Sequence, residues 1–238
     1  MTIKAQINPK AEAYISKMLN KQVPYDVKVL DCHFKIKNVN VYPPGKLTVM
    51  FANYLLENNL VTNKTVVDAG AGCFALGIIA AKQGAKEAIG VDVLTEAVQC
   101  ARESMASNGV LEKSVMLQGN GLDPLFPHYQ GKVDLLLSGA PWDTLSAGEF
   151  DKLSPDRKAL SRSFYDIDNH LIEDIFSRGS LLLSPQGRIF ITASKRMMDR
   201  IERLSADHHL RYRVVKEEDI HHDGNIHYIL EVIQKTNL

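Results

Sequence analysis

The sequence lacks the marks of several protein classes. Its 238 residues include only three cysteines, Cys32, Cys73 and Cys100, with no C-x-x-C spacing. That argues against a disulfide framework and a zinc cage, and suits a reducing compartment. Charge of one sign is not in excess either: 28 Lys and Arg balance 28 Asp and Glu, so no net field draws the chain to duplex nucleic acid or anionic lipid. No apolar run reaches the roughly 18 residues that a membrane span needs. The start, MTIKAQINPK, has no apolar core or cleavage site of a secretion signal. The expectation is a cytoplasmic, unprocessed protein without a membrane partner. His221, His222 and His227 gather around a turn, but without helical spacing or a supporting Cys or acidic set, so no metal is expected.

What is present is apolar substance and period. Hydrophobic residues make up 45% of the chain, enough for one main core with an N-terminal extension. Residues 10 to 20 suit a short helix, and VKVLDCHFKIKNVNVYPPG then alternates as a β-ribbon does until Pro43-Pro44-Gly45. These form an expected extension over 1–46, with the main domain over 47–238. From Leu47 the period becomes helical, then TVVDAG reads as a buried strand, ALGIIAAKQGA as a helix, AIGVDV as a strand, and LTEAVQCARESMASNGV as an amphipathic helix. SVMLQGN, VDLLLSGAPW, GRIFITAS and HYILEVIQK supply later strands, separated by helical stretches near 168–183 and 195–206. The alternation predicts an α/β fold with a doubly wound, mostly parallel sheet. YRVVKEEDIHHDGNIHYILEVIQ predicts an antiparallel pair closing it at the C-terminal end. Residues 144–165, polar and poorly periodic, read as a long loop placed to cover a site.

The glycine loop VVDAGAGCFALG carries the chemistry. In such a fold the turn after the first strand approaches the ligand, outside the carboxyl ends of the strands. Gly70-Ala71-Gly72-Cys73-Phe74-Ala75 fits the loose dinucleotide pattern, and Asp92 follows Gly72 at the spacing of a ribose-binding acid. Asp68 argues against a dinucleotide, because a carboxylate two residues before the first glycine would face a pyrophosphate. Like charges a few Å apart repel by roughly 1 to 4 kcal/mol at aqueous to near-surface dielectric. S-adenosylmethionine removes the conflict, since it has no phosphate but carries an ammonium and a sulfonium. Glycines used only as a tight turn, Asp92 used only as a helix cap, and Cys73 as a small filler are the plainer alternatives.

From about Thr65 to Phe190 the chain resembles the S-adenosylmethionine-dependent methyltransferases with a Rossmann-like, seven-stranded sheet. The resemblance implies that Asp68, Gly70, Ala71 and Gly72 bind the methionine part, that Asp92 and Val93 hold the ribose, and that Asn120 and Gly121 meet the adenine. Phe74 stands where the family pattern has a third glycine, and Asn120 where an Asp is usual.

SGAPW, after the fourth strand, resembles the Asn-Pro-Pro-Tyr of the amino-methyltransferase subgroup that includes the release-factor glutamine methyltransferases and the methyltransferase small domain group. Pro141 and Trp142 match its last two positions; Gly139 and Ala140 replace Asn and Pro. Glutamine-amide chemistry therefore does not carry over directly. Orientation of the acceptor by the Ser138 and Gly139 carbonyls, a ring face from Trp142, and proton removal by Asp143 are the roles that remain. A ring face favours cations by about 0.5 to 2 kcal/mol. Tyr42 and Lys46 flank the Pro-Pro-Gly loop and Tyr165 follows the long loop, all three as candidate acceptor walls. The expected activity is methyl transfer to a nitrogen, with a small molecule as first partner. A protein side chain, an NAD-dependent oxidoreductase and a non-catalytic partner subunit are the alternatives, and oligomeric state is left open.

Overall fold

The computed structural model describes residues 9–139, 141, 143–168 and 170–234. Ala140, Trp142 and Asn169 lie outside them. The chain begins with α1 (Pro9–Leu19), the hairpin β1 (Tyr25–Val29) and β2 (Cys32–Ile36), and α2 (Lys46–Glu57). Then β3 (Thr65–Ala69), α3 (Ala75–Lys82), β4 (Glu87–Asp92), α4 (Thr95–Ser107), β5 (Ser114–Gln118), the single turn α5 (Phe126–Tyr129) and β6 (Val133–Ser138) alternate in the expected way. An insertion follows: β7 (Asp143–Leu145), α6 (Ala147–Asp151), α7 (Pro155–Ser161) and β8 (Tyr165–Ile167). The chain closes with α8 (His170–Leu182), β9 (Leu183–Ser194), α9 (Met198–Asp207), β10 (Leu210–Glu218) and β11 (His227–Gln234).

Seven strands form one sheet in the order β10-β11-β9-β6-β3-β4-β5. The pairs from β9 through β5 are parallel, whereas β11 runs antiparallel to both β9 and β10. This is the Rossmann-like arrangement expected, with its topological switch beside β3, where the chain leaves toward β4 on one side and β6 on the other.

The central strands are buried on both faces because they are apolar at successive positions rather than at alternate ones. Val66, Ala88, Leu135 and Leu137 belong to one core, with the hairpin, α2, α3 and α4. Val67, Ile89 and Leu136 face the other, with Ile172, Ile175 and Phe176 of α8 and Ile201 and Leu204 of α9. The hairpin is not a loose appendage: Cys32, Phe34 and Ile36 alternate inward and join the first of these cores. A third cluster unites Ala11, Ile15 and Met18 of α1 with Leu145, Phe150, Leu160, Phe164 and Tyr165. The stretch 144–165, expected as a loop, is thus a packed subunit of the fold. Its strands pair in parallel from Asp143↔Tyr165 to Leu145↔Ile167.

Candidate functional site

A cavity of about 430 Å³ opens at the carboxyl ends of the parallel strands. Tyr42, Asp68, Gly70, Ala71, Gly72, Asp92, Val93, Asn120, Gly121, Gly139, Pro141 and Tyr165 all line it. Most of the residues singled out in the sequence, from six separate stretches, therefore meet in one place.

The loop after β3 is shaped by backbone bonds. The Gly70 and Ala71 amides both donate to the Val91 carbonyl, at 2.9 and 3.0 Å, and the Gly72 amide donates to Asp92 Oδ2 at 2.8 Å. Gly70 and Gly72 have φ of +70° and +55°, a region that costs a residue with a Cβ roughly 1–2 kcal/mol. At Gly70 an added Cβ would also come within 2.8 Å of the Leu171 side chain. Phe74, in the place of the third glycine, adopts the same left-handed region at φ +65° and is fully buried. Its ring fills the space vacated at Gly77 and Gly90, where a Cβ would stand 1.9 Å and 2.7 Å from it. The two glycines make room for the phenylalanine, so the loop keeps its course in spite of the departure.

Two acids sit at the cofactor end. Asp68, at the end of β3, is buried; desolvation pushes its carboxyl up to about 7, the Gly77 amide pulls it down, and the nearby Asp92 raises it again. Asp92 is raised by burial as well, against hydrogen bonds from the Leu94, Gly72 and Val93 amides. A carboxyl held back from ionising for want of a counter-charge is the group a cationic ligand satisfies. The Gly72 amide bonds Asp92 Oδ2 and the Leu94 amide bonds Oδ1 at 2.9 Å, and a carboxylate with about four acceptor sites still has capacity for a hydroxyl beside these amides. The donor set fits S-adenosylmethionine and suits a pyrophosphate poorly. Cys73 also lines the cavity, with its thiol held protonated by burial.

The opposite wall comes from Tyr42, Tyr165, Arg162, Ser163 and the turn into α8. Tyr42 packs against Phe164 edge-on at 5.2 Å and against Tyr14 at 5.9 Å. The Tyr165 hydroxyl donates to Glu12 Oε1 at 3.5 Å, and the same carboxylate pairs with Arg157. Burial raises the pKa of Tyr42 and of Tyr165. Asp166, not singled out in the sequence, accepts the Leu171 and Ile172 amides at 2.8 and 3.1 Å and so caps α8. It also pairs with Arg200 at 2.7 Å. An acid a few residues ahead of an amphipathic run was the available signal. Thr192, near the end of β9, completes the floor.

Three expected residues are not among the described residues lining the cavity. Lys46 opens α2 and lines a shallow groove with Val27, Val29, Val49 and Met50 on another face. Ser138 is fully buried and its hydroxyl donates to the Ala69 carbonyl at 2.8 Å, tying β6 to β3. Asp143 starts β7 and pairs with Arg196 at 3.4 Å. The ring expected of Trp142 lies outside the described residues.

Residues 47–138 match the family described as ribosomal protein L11 methyltransferase (PrmA). A protein of Methanocaldococcus jannaschii, provisionally named a protein N5-glutamine methyltransferase, is 30% identical over 140 residues, 55% of this chain and 66% of that protein. A ribosomal protein L11 methyltransferase of Vibrio campbellii is 31% identical over 112 residues, 47% of this chain and 35% of that protein. The chain thus spans between about a third and two thirds of these curated relatives' lengths. Among solved structures, the ribosomal protein L11 methylase of Lactobacillus delbrueckii subsp. bulgaricus superposes with a TM-score of 0.55 at 18% identity, covering 82% of both chains.

Proposed function

On the premise that residues 47–138 carry a class I S-adenosylmethionine-dependent methyltransferase domain, we propose that this chain transfers a methyl group to a nitrogen of an acceptor entering between Tyr42, Tyr165, Gly139 and Pro141. The observation that carries the reading is the shared cavity: the acids and glycines suited to the cofactor open onto the same space as Gly139 and Pro141 of the SGAPW motif.

In this reading Asp68 and the Gly70–Gly72 backbone hold the amino-acid part, Asp92 takes the ribose hydroxyls, and Asn120 and Gly121 take the adenine. When bound, the cofactor supplies a methyl group on a cationic sulfur that leaves as a neutral thioether. The chain's own task is alignment and exclusion of water, and positioning of this kind contributes on the order of 7–11 kcal/mol when geometry is near ideal. Asp143 is not among the described residues lining the cavity and pairs with Arg196, so this reading assigns it no general-base role. The proton of the acceptor nitrogen then leaves after transfer, to water at the mouth.

A small molecule is the first reading of the acceptor, since α1 and the insertion build a packed wall on that side. A protein side chain is the second, favoured by the names of the relatives, which act on proteins. Titration calorimetry with S-adenosylmethionine, S-adenosylhomocysteine and NAD tests the cofactor: the first two are expected to bind and NAD to fail. Labelled methyl transfer to free amines and amides, compared with Gln- and Lys-containing peptides, then separates the two acceptors. Binding of NAD alone would overturn the reading.

A further inference from the structure

Thr192 presents a polar group that nothing among the described residues satisfies. It is 1% exposed and lines the cavity floor, yet its Oγ1 has no hydrogen-bond partner among the described residues. A buried hydroxyl left unpaired costs roughly 1–3 kcal/mol, and a valine of the same shape would avoid that cost. Native folds seldom leave such groups unexplained.

Its place in the sheet says what it stands beside. Ile191 pairs with Ser138 across β9 and β6, so Thr192 lies one step further on, level with Gly139. Gly139 has no side chain, and among the described residues beyond its chain neighbours a Cβ built there would meet nothing within 4 Å. Gly139 and Thr192 thus stand level at the ends of neighbouring strands, and both line the cavity. Of the other groups at this end, Asp166 is committed to Arg200 and to the first amides of α8, and Asp168 is exposed at the rim with one oxygen bonded to the Ala147 amide.

Building on the methyl-transfer reading above, we propose that Thr192 Oγ1 is a substrate-binding group that hydrogen-bonds a neutral N–H of the acceptor, supplying from β9 what residue 139 cannot supply from β6. A hydroxyl accepts from a neutral N–H and donates to an adjacent carbonyl, but brings no charge to hold an ammonium. The deep end of the site therefore selects an amide-like or ring nitrogen over a protonated amine.

The test compares wild type with Thr192→Val and Thr192→Ser. The valine variant, relieved of an unpaired hydroxyl, is expected to melt roughly 2–4 °C higher, with affinity for S-adenosylmethionine unchanged within twofold. Saturation-transfer NMR in the presence of S-adenosylhomocysteine uses acetamide and methylammonium as probes. Wild type and the serine variant are expected to contact acetamide in preference to methylammonium, and the valine variant to lose at least fivefold of that contact. A lower melting temperature would assign the hydroxyl to the fold, and weaker cofactor binding would assign it to the cofactor; either overturns the proposal. So would an acetamide contact absent in wild type or equal in the valine variant. Failure of wild type to bind S-adenosylmethionine would instead defeat the underlying reading.

Discussion

Phe74 carries the plainest lesson at the scale of single residues. A bulky ring in a left-handed conformation is a local cost, and burial of that ring against Gly77 and Gly90 offsets it. Gly77→Ala places a methyl 1.9 Å from the ring, and overpacking of this kind destabilises by about 1–3 kcal/mol. The same substitution in a Phe74→Ala background loses the clash and gains helix propensity of up to about 1 kcal/mol. Denaturant melts of the four proteins of this cycle are expected to show Gly77→Ala changing sign, from destabilising to neutral or stabilising; equal effects in both backgrounds would refute the compensation. Asp92 gives a second case. In the proposed reading Asp92→Ala removes bonds to the ribose hydroxyls, each to a charged group and together about 1.5–3 kcal/mol. Calorimetry should therefore find S-adenosylmethionine bound roughly 10- to 100-fold more weakly, and an unchanged affinity would remove Asp92 from the site.

Elements show why some of this was legible in the sequence and some was not. Long runs with a clear period, such as TVVDAG before ALGIIAAKQGA, declared strand, loop and helix, and the glycine loop's position followed from their order. The three-residue strands β7 and β8 are too short to have a period, so residues 144–165 read as loop. The signals there were caps, Ser146 with Glu149 and Ser154 before Pro155. Lys46, Ser138 and Asp143 were placed by adjacency to motifs, but adjacency does not decide which way a side chain turns. Thr192 had no motif near it at all. The contact of α1 with the insertion is a long-range pairing that no local pattern announces, and it has a consequence at this scale. Because Ile15 belongs to a cluster apart from the two sheet cores, Ile15→Asp should free α1 and the insertion while sparing the sheet. Limited proteolysis is expected to cut within residues 143–168 several times faster, with cofactor affinity within threefold of wild type. Loss of cofactor binding in step with cleavage would mean that the insertion also supports the glycine loop.

For the whole molecule, the buried acids couple folding, cofactor and pH. In the free protein the Asp68 carboxyl stands at about 7, against roughly 3.9 in an unfolded chain. Between those values the folded state keeps a proton that the unfolded state has released, so stability falls as pH rises through about 4 to 7 and the deficit is complete above that range. The limit for this one group is on the order of 4 kcal/mol, and Asp92, raised in the same direction, adds to it. A cationic ligand favours the ionised carboxylate, so binding near pH 6 should expel a proton from Asp68. Saturating cofactor, which stabilises by about 2.7 kcal/mol at a hundredfold excess over Kd, should then stabilise more at pH 8 than at pH 5 and flatten the melting profile. Two measurements check the coupling. The melting temperature of the free protein should drop between pH 5 and 8, and Asp68→Asn should abolish most of that drop, because an amide has no proton to lose. The binding enthalpy at pH 6 should differ between buffers of low and high ionisation heat in proportion to the proton released. Equal enthalpies in both buffers, with a melting profile unaffected by Asp68→Asn, would mean that Asp68 is already ionised in the free protein and that its burial is balanced within the fold.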